Sequence, residues 1–164
     1  QGTVFEHNAA GTAESNNAAS ITGTSTLAPY PDLVVTGLSV LQPALQSGGL
    51  MTIRWNDANT GTGAASGTWW DRVKVVNTTT GQTLLDTSVQ NGIAVGAGGQ
   101  IPREYLFTLP DGDAGVGTLS IEVTADAWSN VYEHNPAGTA EINNADAITA
   151  TSTLAPYPIG RAHV

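Results

Sequence analysis

Oxygen-bearing side chains are concentrated between residues 126 and 146, and no Lys or Arg occurs from residue 126 to residue 158. Calcium prefers about six to eight oxygen ligands from carboxylates, amides and backbone carbonyls. We name residues 126–146 the acidic junction, and its composition predicts a calcium site. The alternative is that these side chains only solvate a loop and form Asx turns. The candidate ligands are Asp126, Asn130, Glu133, Asn135, Glu141, Asn143, Asn144 and Asp146.

Most of the acidic junction occurs twice in the chain. Residues 4–31 and 131–158 are aligned at a constant offset of 127 positions, and 22 of the 28 aligned residues are identical. The first copy repeats the acidic residues at Glu6 and Glu14, again without a basic residue. We therefore expect an array of repeats in a longer parent protein, with a calcium site at each boundary between domains.

The repeat also predicts the division of the chain. Residues 1–31 are the tail or linker of a preceding repeat, and residues 32–155 form one domain that includes the acidic junction and a closing strand. Residues 156–164 are the start of a further unit or residues added artificially, because their sequence leaves the repeat after Pro158. Residues 18–27 copy the closing strand, and we expect them to be disordered or to form a linker-like extension; the alternative is that they add to the open sheet edge of a neighbouring molecule.

Charge and motif content exclude several function classes. The chain has 14 acidic and five basic residues, a formal net charge of -9 at pH 7, and no Cys. This acidity disfavours nucleic acid as a partner. No apolar run approaches the about 20 residues of a membrane span, so membrane insertion is not expected. No Ser-His-Asp order or phosphate-binding glycine loop accompanies the repeated His7 and His134, and the sequence predicts no enzyme.

Aromatic residues offer a second kind of binding site. Trp55 shares a predicted strand face with Met51 and Ile53, which favours the core. Trp69 and Trp70 are neighbours in a strand and must point to opposite faces, so one of them is exposed. An exposed Trp could bind a sugar ring, whereas we expect Trp128 and Tyr132 to pack the linker onto the domain.

Short runs with alternating apolar and polar residues, separated by Gly, Asn and Thr turns, predict an all-β fold. About seven antiparallel strands in some 125 residues are typical of an immunoglobulin-like β-sandwich. The predicted strands cover residues 32–41, 50–56, 69–77, 82–89, 100–109, 118–126 and 147–154.

Three short motifs resemble the bacterial cell-adhesion-related domain (CARDB). They are the opening Asp32-Leu33-Val34-Val35, the segment from Arg54 to Gly61, and the stretch from Asp126 to Asn144 with its closing Asn-Asn pair. The resemblance implies an immunoglobulin-like sandwich repeated along a large secreted or surface-anchored bacterial protein. This sequence departs from the family pattern in having a longer spacing between Glu133 and Glu141.

Together these features predict a non-catalytic tandem-repeat module of a bacterial cell-surface or secreted adhesin. It would act extracellularly as an extender or adhesion domain, made rigid by calcium at the acidic junction. The expected partners are neighbouring repeats of the same chain and a glycan or protein receptor. The alternative function is a carbohydrate- or protein-binding β-sandwich module.

Overall fold

The computed structural model describes residues 4–156, with the backbone alone at Glu14. Eight strands form two sheets, and two short 3-10 helices lie at Ala13–Ser15 and Gly112–Gly115. The strands are β1 (Leu33–Val40), β2 (Leu45–Gln46), β3 (Leu50–Asn59), β4 (Trp69–Asn77), β5 (Gln82–Asn91), β6 (Gln100–Thr108), β7 (Gly117–Thr124) and β8 (Ala145–Thr153).

One sheet has the strand order β1-β3-β6 and the other the order β2-β8-β7-β4-β5. All paired neighbours are antiparallel except β2 and β8. The prediction of an immunoglobulin-like β-sandwich is confirmed, as are all seven predicted strands. The eighth strand, β2, was missed because it has two residues, too few to show an alternating pattern.

The core lies between the two sheets and is built from the inward side of each alternating strand. Trp55 and Trp69 are buried there with Met51, Ile53 and Ile121. The predicted core position of Trp55 is therefore confirmed. Neighbouring side chains on a strand point to opposite faces, so Trp70 lies on the outer face of β4 and is 40% exposed.

The two ends of the sandwich have different connections. At the end that we call proximal, β1 begins at Leu33 and β7 ends at Thr124; at the distal end, β8 ends at Thr153 beside β2. Residues 4–32 contain no strand, so the copied segment 18–27 is not paired with a sheet. The predicted segment 156–164 lies outside the described residues except for its first position. No helix within residues 4–156 is long and apolar enough to cross a membrane.

Candidate functional site at the acidic junction

The acidic junction connects β7 to β8 and folds back against the start of β1. The backbone N–H of Leu33 donates a hydrogen bond to Glu133 Oε2 over 2.6 Å. The backbone N–H of His134 donates to the Pro31 carbonyl oxygen over 3.0 Å. Residues about 100 positions apart in the sequence are thereby held together at the proximal end.

Asp126 begins the junction and shapes its first turn. Its carboxylate accepts hydrogen bonds from the backbone N–H groups of Asn130 at 2.9 Å and Val131 at 2.8 Å. The side chain is buried, and burial raises the pKa of Asp126 more than the two hydrogen bonds lower it. This carboxylate acts as a backbone cap, in the manner of an Asx turn.

Glu133 is the central buried carboxylate of the junction, with 3% of its surface exposed. Its Oε1 accepts a hydrogen bond from Asn144 Nδ2 over 3.1 Å, and its own backbone N–H donates to Glu141 Oε1 over 2.8 Å. Burial raises the pKa of Glu133 to about 8, because desolvation of the charged form outweighs the hydrogen bonds from Leu33 and Asn144.

Asp32 is a member of this cluster that the sequence analysis did not include among its ligands. Its Oδ1 accepts from Asn143 Nδ2 over 3.0 Å, and its Oδ2 accepts from Asn135 Nδ2 over 3.2 Å and from Thr60 Oγ1 over 3.0 Å. The residue is buried. Asp32 lies immediately before β1, at the end of the sandwich where the junction also begins. This position in the sequence could have indicated that Asp32 belongs to the cluster.

Two amide oxygens in the cluster are buried without a hydrogen-bond partner. They are Asn143 Oδ1 and Asn144 Oδ1, while the Nδ2 groups of the same amides face Asp32 and Glu133. A rotation of each amide would present its oxygen beside a carboxylate, which is the donor set that calcium prefers. No three His, Asp or Glu side chains of the described chain are grouped to hold a metal, so such a site would depend on amide oxygens.

The other predicted ligands lie at the edge of this cluster or away from it. Glu141 and Asn130 are exposed in the loop, and Asp146 is exposed on β8, where its Oδ1 accepts from the Ala147 backbone N–H over 2.8 Å. In the first copy Glu6 is exposed, and the side chain of Glu14 lies outside the described residues. Ligation of calcium by these side chains stays a prediction.

The linker before β1 is packed onto the junction. The Tyr30 ring lies edge-on to Tyr132, with ring centroids 5.3 Å apart, and 5.8 Å from the ring of His134. A Cβ at Gly63 would lie 2.5 Å from the Pro29 carbonyl oxygen, so the linker approaches a neighbouring loop too closely for a side chain. The predicted packing role of Tyr132 is confirmed, whereas Trp128 lies elsewhere, 55% exposed over the five-stranded sheet.

A buried charge cluster behind the junction was also missed. Arg103 Nε lies 3.3 Å from Asp71 Oδ2 and 3.6 Å from Asp57 Oδ2, and both carboxylates are fully buried. Burial raises the pKa of both Asp57 and Asp71, and the charge of Arg103 opposes that shift. The backbone N–H of Asp126 donates to Asp71 Oδ1 over 3.4 Å, which connects this cluster to the junction. These three residues lie on three different strands, so sequence spacing carried no signal for them.

Comparison with solved structures places this architecture among known folds. The crystal structure of the CARDB domain of the PF1109 protein from Pyrococcus furiosus, in complex with di-metal ions, is similar with a TM-score of 0.54 and 20% identity. The similarity covers 79% of this chain and 100% of that one. The chain has the fold of a CARDB domain. A solution structure of the same CARDB domain gives a TM-score of 0.52 at 19% identity, covering 77% of this chain and 98% of that one.

A structure that is not described as a CARDB domain is also similar to this chain. Spo0M, a sporulation control protein from Bacillus subtilis, is similar with a TM-score of 0.53 and 14% identity, over 76% of this chain and 50% of that one. No family model and no curated protein matches the sequence. At these identities the comparisons establish the fold.

Proposed function

We propose that the chain is a non-catalytic repeat module of a cell-surface or secreted bacterial protein, where it acts as an extender or adhesion domain. The observation that carries this proposal is that β1 begins at one end of the sandwich and β8 ends at the other, in a chain with a 127-residue repeat. Repeats connected in this way follow each other head to tail, and each adds its own length to the array.

The connection between successive sandwiches is short. At the repeat offset of 127, the last residue of β8, Thr153, is equivalent to Thr26, and β1 begins at Leu33. Only residues 27–32 therefore separate one sandwich from the next, and two of them, Pro29 and Pro31, restrict the backbone. The partners supported by this arrangement are neighbouring repeats of the same chain.

The acidic junction lies on the side of the preceding repeat. In sequence it follows most of the sandwich, yet it folds back to the proximal end, where Tyr30 and Pro31 contact Tyr132 and His134. In an array the junction would thus face the repeat before it, and ligands bound there would restrict the linker rather than the chain that follows.

We further propose calcium as the bound ion. The supporting observations are the buried amide oxygens of Asn143 and Asn144, which have no partner and belong to side chains whose Nδ2 groups donate to the buried carboxylates of Asp32 and Glu133. These four residues would hold the ion, which would supply positive charge that the cluster otherwise lacks. The PF1109 CARDB crystal structure contains di-metal ions, which supports metal binding by a domain of this fold. Restriction of the linker beside this cluster would stiffen the array.

Titration calorimetry of EDTA-treated protein with calcium tests this part of the proposal. We expect a saturable heat with one ion per chain, and a higher melting temperature, because the folded state alone has the assembled ligands. Glu133→Gln should weaken both effects, whereas the matched variant Glu6→Gln in the first copy should change neither. Absence of heat together with an unchanged melting temperature would remove calcium from the proposal.

Small-angle scattering of a protein with two complete repeats tests the extender role separately. We expect an elongated particle whose maximum dimension is close to twice that of one repeat, and a narrower distribution of shapes with calcium than with EDTA. A compact particle in both conditions would contradict the extender role, whatever the calorimetry shows.

A further inference from the structure

An exposed tryptophan borders a hollow on the outer face of the five-stranded sheet. The hollow has a volume of about 440 Å³ and is lined by Arg72, Asp86, Ser88, Thr124 and Trp128. It lies on the opposite side of this sheet from the core, and none of its residues belongs to the Asp32 and Glu133 cluster. Apart from Ala127 and the indole, which belong to the turn after β7, its walls are polar residues of the neighbouring strands β4, β5 and β7.

The turn that presents Trp128 is held in an unusual backbone conformation. Asp126 has φ +42° and Ser129 has φ +50°, and they are the two residues other than glycine with positive φ in the described part of the chain. Left-handed conformations cost such residues on the order of 1–2 kcal/mol. The Asp126 carboxylate and a hydrogen bond of 2.9 Å from the Ala127 N–H to the Trp70 carbonyl oxygen maintain the turn.

The strained turn does not bury the indole, since the Trp128 side chain is still 55% exposed to solvent. A surface turn that only connected β7 to the junction would not need a large aromatic side chain at this point. Backbone strain maintained by surrounding contacts is often found where a side chain is positioned for binding. The turn therefore places an aromatic face beside the hollow before any ligand arrives.

Two of the lining residues, Arg72 and Asp86, form a solvent-exposed ion pair. Arg72 Nε donates to Asp86 Oδ1 over 2.7 Å, and an Nη of Arg72 donates to Asp86 Oδ2 over 2.5 Å. This hydrogen bonding lowers the pKa of Asp86, so the carboxylate is ionised at neutral pH and can accept further bonds. The remaining N–H groups of Arg72 can donate.

We propose that this hollow binds a pyranose ring of an uncharged glycan, with one face of the sugar stacked on Trp128 and hydroxyl groups bonded to Arg72 and Asp86. A sugar ring combines an apolar C–H face with hydroxyls that both donate and accept hydrogen bonds, which matches an indole beside a carboxylate and a guanidinium. An apolar peptide would exclude water from the charged pair and would offer no hydrogen bonds in place of those that Arg72 and Asp86 make to water. The site would add glycan binding to the proposed role as an extender or adhesion domain.

The test uses the whole chain with methyl β-D-glucopyranoside, methyl β-D-galactopyranoside, methyl α-D-mannopyranoside and N-acetyl-D-glucosamine, each to about 100 mM. Resolved indole N–H signals in NMR spectra report the four tryptophans separately. We expect at least one sugar to shift the Trp128 signal in a saturable way, without moving the buried Trp55 and Trp69 signals. A glycan array then identifies the preferred oligosaccharide.

Matched variants locate the site. Trp128→Ala should weaken binding at least about tenfold, since stacking supplies the apolar contact. Trp70→Ala removes another exposed Trp of the same sheet that does not line the hollow, and it should change the affinity less than about twofold. Unchanged melting temperatures show that both variants fold, and the NMR shifts of the unaltered chain locate the ligand without any variant.

Two results would overturn the inference. One is the absence of saturable shifts with all four sugars together with no binding on the array. The other is binding that survives Trp128→Ala or is lost equally in Trp70→Ala. Neither result depends on calcium or on the shape of the array, so failure here is distinguishable from failure of the extender proposal.

Discussion

The two copies of the repeated segment form the same local turn, although the first copy contributes no strand to the sandwich and contacts it through its last residues, such as Tyr30 and Pro31. In both copies an Asn side chain accepts a hydrogen bond from the N–H of the Thr four residues later, at 2.9 Å in the first copy and 3.0 Å in the second. The Gly immediately before this Thr has φ +69° in both copies. The equivalent residues are Asn8, Gly11 and Thr12 in the first copy, and Asn135, Gly138 and Thr139 in the second.

Beyond this turn the two copies differ. Val131 is 7% exposed and Val4 is 77% exposed, while Ile148 packs against the core from β8 and its equivalent Ile21 is 97% exposed. The second copy is buried because β1 and β7 supply partners from distant parts of the chain. The two nearly identical sequences therefore form the same turn, because hydrogen bonds within four residues specify it. Their burial differs, because it depends on strands from elsewhere in the chain.

The largest expected effect comes from removal of the central carboxylate of the second copy. Glu133→Ala leaves the Leu33 N–H and the Asn144 amide without their acceptor in a buried position, which should cost about 2–4 kcal/mol of unfolding free energy. Glu6→Ala, the equivalent change at an exposed residue, should alter stability by less than about 0.5 kcal/mol. Urea denaturation of both variants measures the difference, and equal losses would contradict the contrast between the copies.

A smaller effect is expected at the apolar start of the segment. Val131→Ala removes two buried methyl groups and should destabilise the protein by about 1–2 kcal/mol. Val4→Ala changes a side chain that is already in solvent and should have almost no effect. Thermal unfolding of the pair gives the measurement; a loss at Val4 as large as that at Val131 would show that the first copy also packs.

The most gradual effect is a dependence of stability on pH in calcium-free protein, which is spread over several pH units. The pKa of Glu133 is about 8 in the folded state against an ordinary 4.5, so between these values the folded protein binds a proton that the unfolded chain does not. Stability should therefore fall as pH rises from about 5 to 8, by up to about 1.4 kcal/mol per pH unit for this proton. The raised pKa values of Asp57 and Asp71 act in the same direction.

Two neutral variants separate the contribution of each copy. Glu133→Gln removes the titrating group and should reduce the slope of unfolding free energy against pH, while Glu6→Gln should leave the slope unchanged. Urea denaturation at intervals between pH 5 and pH 8, with EDTA present, supplies the data. A slope that stays the same in Glu133→Gln would assign the dependence to the buried Asp57 and Asp71 instead.

The strands were predictable because alternation of apolar and polar residues is a local property. All seven long strands follow it, and β2 was missed because two residues are too few to alternate. The candidate site was predictable only in part. Oxygen-rich composition pointed to Glu133, Asn143 and Asn144, but Asp32 joins this cluster through hydrogen bonds from Asn135 and Asn143, more than 100 positions away. Residue spacing cannot predict contacts at this sequence separation, because the order of strands in the sheets decides which loops lie close together.

By itself the sequence determined the all-β class, the strand positions, the 127-residue period and the Asn-based turn that both copies form. These features depend on side-chain alternation and on bonds between residues a few positions apart. Tertiary structure alone decided that the acidic junction returns to the start of β1, that Arg103 lies between Asp57 and Asp71, and that Trp128 faces solvent beside Arg72. The reason is physical: burial and the pKa shifts it causes depend on which strands pair, and pairing is a property of the whole sandwich.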